Sequence, residues 1–283
     1  MFKLLILLVV TQLGFGQQIA KQKCEEYKAL ARAHQDSLQC KVFSDDKTGV
    51  MIQAHEFPAT GMLGFVAPSG EVVYLCDATL ISDDTLLAAG HCLKQKNFGR
   101  PKWARLGATH ETLGVEVQVK SAECHAQYYP GHDIAIIKLQ EKLNSSFIPA
   151  CLDTEGVLEG TRGVGVGRPI GSAYISLREK CPIKSHLEVK PGNECVETFP
   201  HQNISTEATL CTKDPASGPG DCLSGPLYVS RGPCVHTIAG LASFGRPCYN
   251  ETSTGRTPSV YTRVSHYIPW IESLTWPTTP PTD

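Results

Sequence analysis

Residues 85–92 of the chain read Thr85-Leu86-Leu87-Ala88-Ala89-Gly90-His91-Cys92, an apolar run that ends in a histidine and a cysteine. A second run, His132-Asp133-Ile134-Ala135-Ile136-Ile137-Lys138-Leu139, places an aspartate at the start of an apolar strand. A third, Gly220-Asp221-Cys222-Leu223-Ser224-Gly225-Pro226-Leu227, contains a Ser-Gly-Pro turn. Each residue alone is most often structural, but a base, an orienting acid and a nucleophile can be built from these three types in this order.

The segments between these runs indicate an all-β fold. From about residue 51 to 264, short alternating segments are broken by Gly, Pro, Asn and Asp, which is typical of a barrel or a sandwich. A closing helix is predicted over 267–274, with Pro269 near its first turn, and a short helix over 23–32. The clearest strand predictions are Glu71–Leu75, Thr79–Ile81, Val115–Val119, Ile134–Leu139 and Ile238–Ser243.

Length and composition indicate an exported globular protein. The 283 residues are 41% apolar and 19% charged, with a net charge of −2 and no basic run, which argues against nucleic-acid binding. Lys3, the apolar Leu4–Val10 and the small residues in Gly14-Phe15-Gly16 predict a signal peptide over 1–16. This apolar run is too short to cross a bilayer. An even count of 12 cysteines fits an extracellular chain with disulfides, and the absence of Cys-x-x-Cys argues against zinc.

Together the three runs resemble the chymotrypsin/trypsin family of serine proteases, over roughly 56–274. The likeness is greatest to insect proteases and protease homologues of the clip type, without their clip module. Ala239–Gly245 resembles the family's substrate-binding strand, and Pro258–Val264 resembles its Pro-Gly-Val-Tyr-Thr-Arg-Val segment. The resemblance implies a chymotrypsin-like double six-stranded β-barrel with a C-terminal helix. The predicted domains are a signal peptide (1–16), an N-terminal extension with Cys24 and Cys40 (17–49), the protease-like domain (50–274) and a disordered tail (275–283).

By resemblance, His91 is the general base and Asp133 the acid that orients it. Ser243 matches the family serine whose hydroxyl supports that aspartate, so these three roles are expected to be intact. A serine hydroxyl needs such a base to lose its proton, and the carboxylate holds the imidazole in the correct tautomer.

The serine loop departs from the family pattern Cys-x-Gly-Asp-Ser-Gly-Gly-Pro. In one alignment Asp221 is the family aspartate and Cys222 replaces the nucleophile. In the other, which we favour, Cys222 is the loop cysteine, Ser224 sits at the serine position and the preceding Gly-Asp is deleted. Either alignment damages the oxyanion hole, where loss of one N–H donor costs about 3–4 kcal/mol.

The activation site and the specificity pocket depart from the family as well. Residues 44–50 contain no Arg/Lys-Ile/Val junction, so the new N-terminus that organises an active family member is not expected. The predicted pocket carries no clear preference for basic side chains. Its residues are Gly220, Asp221, Ser243, Gly245 and Ser259.

Six disulfides are expected from the resemblance and from the cysteines that it leaves over. Three follow the family pattern: Cys76–Cys92, Cys195–Cys211 and Cys222–Cys248. Cys181–Cys234 is expected across adjacent strands, and Cys24–Cys151 matches the way family linkers are tied to the catalytic domain. Cys40–Cys124 is expected because these two cysteines are left once the other five pairs are assigned.

Three functions compete at this point. The leading hypothesis is a secreted, non-catalytic homologue that binds other secreted proteases or their substrates in an extracellular cascade, as a monomer. The second is an active serine endopeptidase that uses His91, Asp133 and Ser224 with a rearranged loop, and the third is a structural secreted protein. No cofactor, metal, nucleic acid or membrane partner is predicted, His125, His132 and His186 being read as solvated. Glycan sequons occur at Asn144, Asn203 and Asn250.

Overall fold

The computed structural model describes residues 19–33, 48–53, 55–107, 110, 113–128, 132–168, 181–215, 223–232, 235–245 and 257–277. Fourteen strands and three α-helices are found within these residues. The first barrel is closed and antiparallel, in the order β2-β3-β4-β7-β6-β5. Its strands are β2 (Thr60–Val66), β3 (Val72–Leu80), β4 (Thr85–Ala88), β5 (Trp103–Leu106), β6 (Val115–Cys124) and β7 (Ala135–Leu139).

Alternation of side chains fills the interior of the first barrel. In β5, Ala104 and Leu106 are fully buried, while Trp103 and Arg105 between them are only partly covered. This is the period of two that a half-buried strand requires. Leu63, Leu86 and Ile137 on neighbouring strands are likewise 0% exposed, so the barrel is closed around a packed apolar core.

A second six-stranded barrel follows in the order β10-β11-β14-β13-β12-β9, closed by the pairing of β9 with β10. Two short strands are attached to it: β1 (Val50–Met51) pairs with β10, and β8 (Cys151–Leu152) runs parallel to β13. The expected double-barrel architecture is therefore confirmed. The barrel strands are β9 (Arg162–Gly167), β10 (Ile183–Lys190), β11 (Thr209–Lys213), β12 (Pro226–Ser230), β13 (His236–Phe244) and β14 (Ser259–Arg263).

Three helices pack against the barrels. α1 covers residues 19–33, α2 is Gly192–Thr198, and α3 is Ile268–Thr275, which buries Ile268 and Ile271 and carries a proline in its first turn. α3 is the expected C-terminal helix. No helix among the described residues is long and apolar enough to cross a membrane.

The N-terminal helix is fastened to the protease-like fold at three points. Cys24 forms a disulfide with Cys151, the first residue of β8. The Tyr27 hydroxyl donates to the carbonyl oxygen of Ile81 at 2.9 Å. The backbone N–H of Ala20 donates to Glu272 of α3 at 2.8 Å. The helix α1 thus contacts the segment between β3 and β4, the short strand β8 and the helix α3.

Candidate active site

His91 lies on a short 3₁₀ helix, Gly90–Lys94, which Ala89 connects to the end of β4. The disulfide Cys76–Cys92 ties this turn to β3. A side chain on Gly90 would clash with the Tyr128 ring at 2.6 Å, which explains the glycine before the histidine. The turn is therefore fixed on both sides, and the His91 side chain is 41% exposed.

Asp133 precedes β7 and receives hydrogen bonds from His91 and Ser243. The His91 backbone N–H donates to Oδ1 at 2.7 Å, and His91 Nδ1 lies 2.8 Å from Oδ2. Ser243 Oγ in β13 donates to the same Oδ2 at 2.6 Å. Because every partner of this carboxylate donates to it, Nδ1 carries the proton and Nε2 is left as the basic atom.

The charges of this dyad reinforce each other. Burial favours a neutral imidazole, but the hydrogen bond to Asp133 and the aspartate's negative charge outweigh it and raise the pKa of His91. Burial would raise the pKa of Asp133, yet the hydrogen bonds and charge of His91, with the hydrogen bond from Ser243, lower it. A base with an orienting carboxylate is thus in place.

Ser224 is not brought to this base. Its hydroxyl donates to the buried carboxylate of Asp77 in β3, and its Oγ lies 3.1 Å from the carbonyl oxygen of Arg168. Within the described residues it makes no hydrogen bond to His91. The three residues of the hypothetical triad therefore split into a formed pair and a serine that is bonded elsewhere.

The backbone N–H of Ser224 is also engaged in a hydrogen bond. The Ser224 N–H donates to the Arg168 carbonyl oxygen at 3.1 Å, so this group is not available as an oxyanion donor. Gly225 has φ of 112°, and a side chain there would meet the Val166 carbonyl at 2.4 Å. The turn is consequently packed tightly between β9 and β3.

Asp77 and Arg168 are the residues that sequence reasoning missed. The Asp77 side chain is 1% exposed, and it accepts from the Arg168 backbone N–H at 3.2 Å and from Nε at 3.3 Å. An aspartate in the apolar segment around β3 was the only sequence signal. Its three donors satisfy a carboxylate that would otherwise be costly to bury.

Residues 47–271 match the sequence family described as Trypsin. The chain belongs to the trypsin family. Serine protease snk of Drosophila melanogaster is 26% identical over 292 residues, covering 92% of this chain and 65% of its own length. Phenoloxidase-activating factor 1 of Holotrichia diomphalia is 28% identical over 256 residues, covering 77% and 66%. Serine protease Hayan of D. melanogaster is 27% identical over 236 residues, covering 74% and 36%.

This trypsin-family chain thus spans at most about two thirds of the length of these curated relatives. A solved structure of neuropsin, described as a serine protease expressed in the limbic system of mouse brain, is 24% identical with a TM-score of 0.60. It covers 79% of this chain and 97% of its own. At that identity the likeness shows the fold alone.

The structure describes three of the five predicted pocket residues. Ser243 contacts Asp133, Ser259 opens β14 with 7% exposure, and Gly245 directly follows β13. Gly220 and Asp221 lie outside the described residues, as does Cys222. The residues predicted to form the pocket walls are therefore described, whereas those predicted to form its base are not.

Three of the six expected disulfides are formed: Cys24–Cys151, Cys76–Cys92 and Cys195–Cys211. Among the described residues Cys124 forms no disulfide, and its thiol is directed at the Gly90 carbonyl oxygen, 3.4 Å away. Its expected partner Cys40 lies outside the described residues, and so do Cys222, Cys234 and Cys248, which leaves Cys40–Cys124, Cys181–Cys234 and Cys222–Cys248 as predictions.

The segment that corresponds to the family's activation site is held as a strand. The Gly49 N–H donates to the Lys184 carbonyl oxygen at 2.9 Å, and Val50 pairs with Lys184 in β10. Glu56 forms a buried ion pair with the Lys184 ammonium. This segment is thus bound to the surface of the second barrel through β10.

Two of the three sequons lie on exposed residues. Asn144 and Asn203 are both exposed, which a glycan requires, and Asn250 lies outside the described residues. Glycosylation at these positions remains a prediction.

Proposed function

We propose that this chain is a secreted, non-catalytic member of the trypsin family that acts by binding in an extracellular proteolytic cascade. One observation supports this above all others: the Ser224 hydroxyl donates to Asp77 and not to His91. The chain keeps the scaffold and the base of the family, while its serine is bonded out of reach of that base.

The chemistry of acyl transfer explains the weight of that observation. A serine attacks a carbonyl only while a base takes its proton, and here that proton is held by a carboxylate paired with Arg168. The Ser224 N–H, which would stabilise the oxyanion, is bonded to the Arg168 carbonyl. Loss of one such donor alone lowers kcat by about 10²–10³.

The retained parts suit a binding role. His91, which forms the dyad with Asp133, has a side chain that is 41% exposed. It lies at the junction of the two barrels, where the substrates of the family lie. The predicted signal peptide over 1–16 and the disulfides support an extracellular location. The name of one relative, phenoloxidase-activating factor 1, supports partners within a cascade.

An active serine endopeptidase is the second candidate, and the intact dyad favours it. In that case Ser224 has to leave Asp77 and reach His91 Nε2 when a substrate binds. A structural secreted protein is the third candidate, which only the presence or absence of a defined partner separates from the first.

The test is cleavage of a broad peptide library by the full-length secreted protein, followed by mass spectrometry. We expect no cleavage that a serine-directed inhibitor blocks, and no difference between wild type, Ser224→Ala and His91→Ala. Inhibitor-sensitive cleavage that both variants lose would contradict the proposal and establish the endopeptidase.

A second arm separates a binding protein from a structural one. Immobilised wild-type protein is presented with a panel of active trypsin-family proteases, and association is followed by biolayer interferometry. Saturable association with one of them supports the cascade role, whereas association with none supports the structural alternative.

A further inference from the structure

Five exposed basic residues lie close together on one side of the first barrel, and we call them the basic patch. Lys94 ends the 3₁₀ helix that follows β4, and Lys96, Arg100 and Lys102 lie between that helix and β5. These four residues fall within 94–102 and are separated by uncharged residues. The fold adds Lys120 from β6.

A tight turn brings the first three members of the patch together. Gln95 and Gly99 form an antiparallel bridge, so Lys94 and Arg100 at its two ends are neighbours. The Arg100 guanidinium also donates to the carbonyl oxygen of Ala122 in β6 at 2.6 Å. This hydrogen bond fixes the turn against the strand that carries the fifth member.

Backbone hydrogen bonds position the other two members. The Val119 N–H donates to the Lys102 carbonyl oxygen at 2.9 Å, which makes Lys102 a neighbour of Lys120. The Lys102 N–H donates to the Gly64 carbonyl oxygen in β2 at 2.8 Å. The backbone beneath the patch is therefore held by three strands, while the lysine side chains remain free to follow a ligand.

Part of the patch surrounds a surface cavity of about 430 Å³. Lys94 and Arg100 line this cavity, and the Lys94 ammonium lies 5.5 Å from the centroid of the Tyr128 ring, which also lines it. Glu123 is the one carboxylate among the lining residues that the structure describes. Positive charge is thus in excess at the cavity, and the other three lysines of the patch add to it.

The charge of the patch is not neutralised by the part of the chain that the structure describes. None of the five side chains takes part in an ion pair there, whereas Arg105 on β5 pairs with Glu116 on β6 at 2.6 Å. Like charges that are held close together repel, and a bound anion of several charges removes that repulsion. The patch therefore suits a ligand with repeated negative groups.

The surroundings of the patch distinguish between kinds of anionic partner. Protein and membrane interfaces bury apolar side chains as well as charges. Among the described residues, none of the large apolar side chains that are exposed lies within 94–102 or 119–128, the segments that form the patch and its cavity. This composition favours a ligand that is held by ion pairs and hydrogen bonds alone.

We propose that the basic patch binds a sulfated polysaccharide, a linear chain whose sulfate groups pair with separate cations. Sulfate oxygens accept charge-assisted hydrogen bonds from ammonium and guanidinium groups. The release of counterions that condense on a linear polyanion drives such binding. The proposal rests on the extracellular location proposed above, where such polymers occur, and not on the absence of catalysis.

The test is binding of the purified full-length protein to an immobilised heparin oligosaccharide, a sulfated probe, by surface plasmon resonance. Lys102→Gln combined with Lys120→Gln should raise the Kd at least about tenfold, because two ion pairs are lost. Glu123→Gln should lower the Kd, because it removes a repelling carboxylate.

A matched control separates the patch from net charge. Lys21→Gln combined with Arg162→Gln removes the same charge from exposed positions on α1 and β9. This variant should keep the Kd within about twofold of wild type, because charges beyond a Debye length from the ligand are screened. Near-ultraviolet circular dichroism checks that both double variants are folded, as expected for substitutions of exposed side chains.

Salt and a second polyanion complete the test. The wild-type Kd should rise on the order of 50-fold between about 50 and 200 mM salt, as three or four ion pairs require. The proposal is overturned if desulfated heparin binds as tightly as heparin, or if the two double variants bind equally. It is also overturned if phosphatidylserine vesicles bind at the patch and heparin does not. No step measures cleavage, so the result is independent of whether Ser224 is active.

Discussion

At the scale of single residues, one aspartate decides how the serine loop is attached to the first barrel. Asp77 accepts from the Ser224 hydroxyl and from two groups of Arg168, and its side chain is 1% exposed. Removing one partner of a buried ion pair leaves the other charge uncompensated. The attachment is therefore a strong constraint on where Ser224 lies.

Asp77→Ala should lower the free energy of unfolding by about 3 kcal/mol, because the Arg168 guanidinium and the Ser224 hydroxyl lose their buried acceptor. Asp83→Ala is the matched control, since its ion pair with Lys142 is exposed and should cost at most about 1 kcal/mol. Urea denaturation measures both. A loss for Asp77→Ala no larger than that for Asp83→Ala would contradict the role given to Asp77.

The dyad makes a separate prediction about pH. Because Asp133 raises the pKa of His91, Asp133→Asn should lower that pKa, as followed by nuclear magnetic resonance of the imidazole ring. The ionic coupling stabilises the fold while His91 is protonated, below its unfolded pKa. It is lost as the pH rises through the higher folded pKa. An unchanged His91 titration in the variant would mean that the dyad is not coupled.

At the scale of elements, α1 attaches residues 19–33 to the barrels. The Cys24–Cys151 disulfide has a sequence separation of 127 residues, far more than the 16 of Cys195–Cys211. Loop-closure entropy therefore gives it the larger effect on the unfolded chain. The Tyr27 hydroxyl then fixes the helix against Ile81.

Replacing both Cys24 and Cys151 by serine should cost about 4–5 kcal/mol of unfolding free energy, against about 3 kcal/mol for Cys195→Ser with Cys211→Ser. Hydrogen exchange should also increase first in residues 19–33, because only the hydrogen bonds of Tyr27 and Ala20 would then remain of the three attachments of α1. If exchange in α1 stays as slow as in the barrel strands, the disulfide is not what keeps the helix docked.

Much of this element structure is predictable from the chain. The predicted segments Glu71–Leu75 and Thr79–Ile81 both overlap one strand, β3, which is Val72–Leu80. The strand continues through Asp77, whose buried partners come from distant residues and are not visible in the local pattern. Val115–Val119 extends to Cys124 in β6, where alternation is weak. Ile238–Ser243 lies within β13, and the closing helix is shifted by one residue.

The candidate site is only partly predictable for a related reason. His91, Asp133 and Ser243 follow local motifs, and the structure brings them together. The position of Ser224 depends on Asp77 and Arg168, which no local pattern connects to it. The grouping of Lys120 with the basic residues of 94–102 likewise depends on tertiary packing.

At the scale of the whole molecule, the two barrels meet through aromatic side chains. Tyr228 in β12 is fully buried, and its hydroxyl lies 2.9 Å from Thr60 Oγ1 in β2. His236 stacks on Phe57 with ring centroids 4.8 Å apart. Burial lowers the pKa of His236 to about 3, so the interface holds a neutral imidazole.

This interface should make the whole fold sensitive to acid. The unfolded chain binds a proton at His236 near pH 6.5, whereas the folded chain does not, so stability present above that pH is lost as the pH falls toward about 3. At pH about 5 the loss is on the order of 2 kcal/mol. His236→Phe should flatten the dependence of unfolding free energy on pH, and equal slopes for variant and wild type would contradict it.

The central claim is that this trypsin-family scaffold has a base and an orienting acid but no activated serine. Labelling with a fluorophosphonate probe, which reacts only with an activated serine, tests it most directly. The purified protein is labelled before and after limited trypsin treatment, beside Ser224→Ala, with folding checked by resistance to further digestion. We predict no labelling above that of Ser224→Ala in either state. Labelling that depends on Ser224 would contradict the account and identify a working serine endopeptidase.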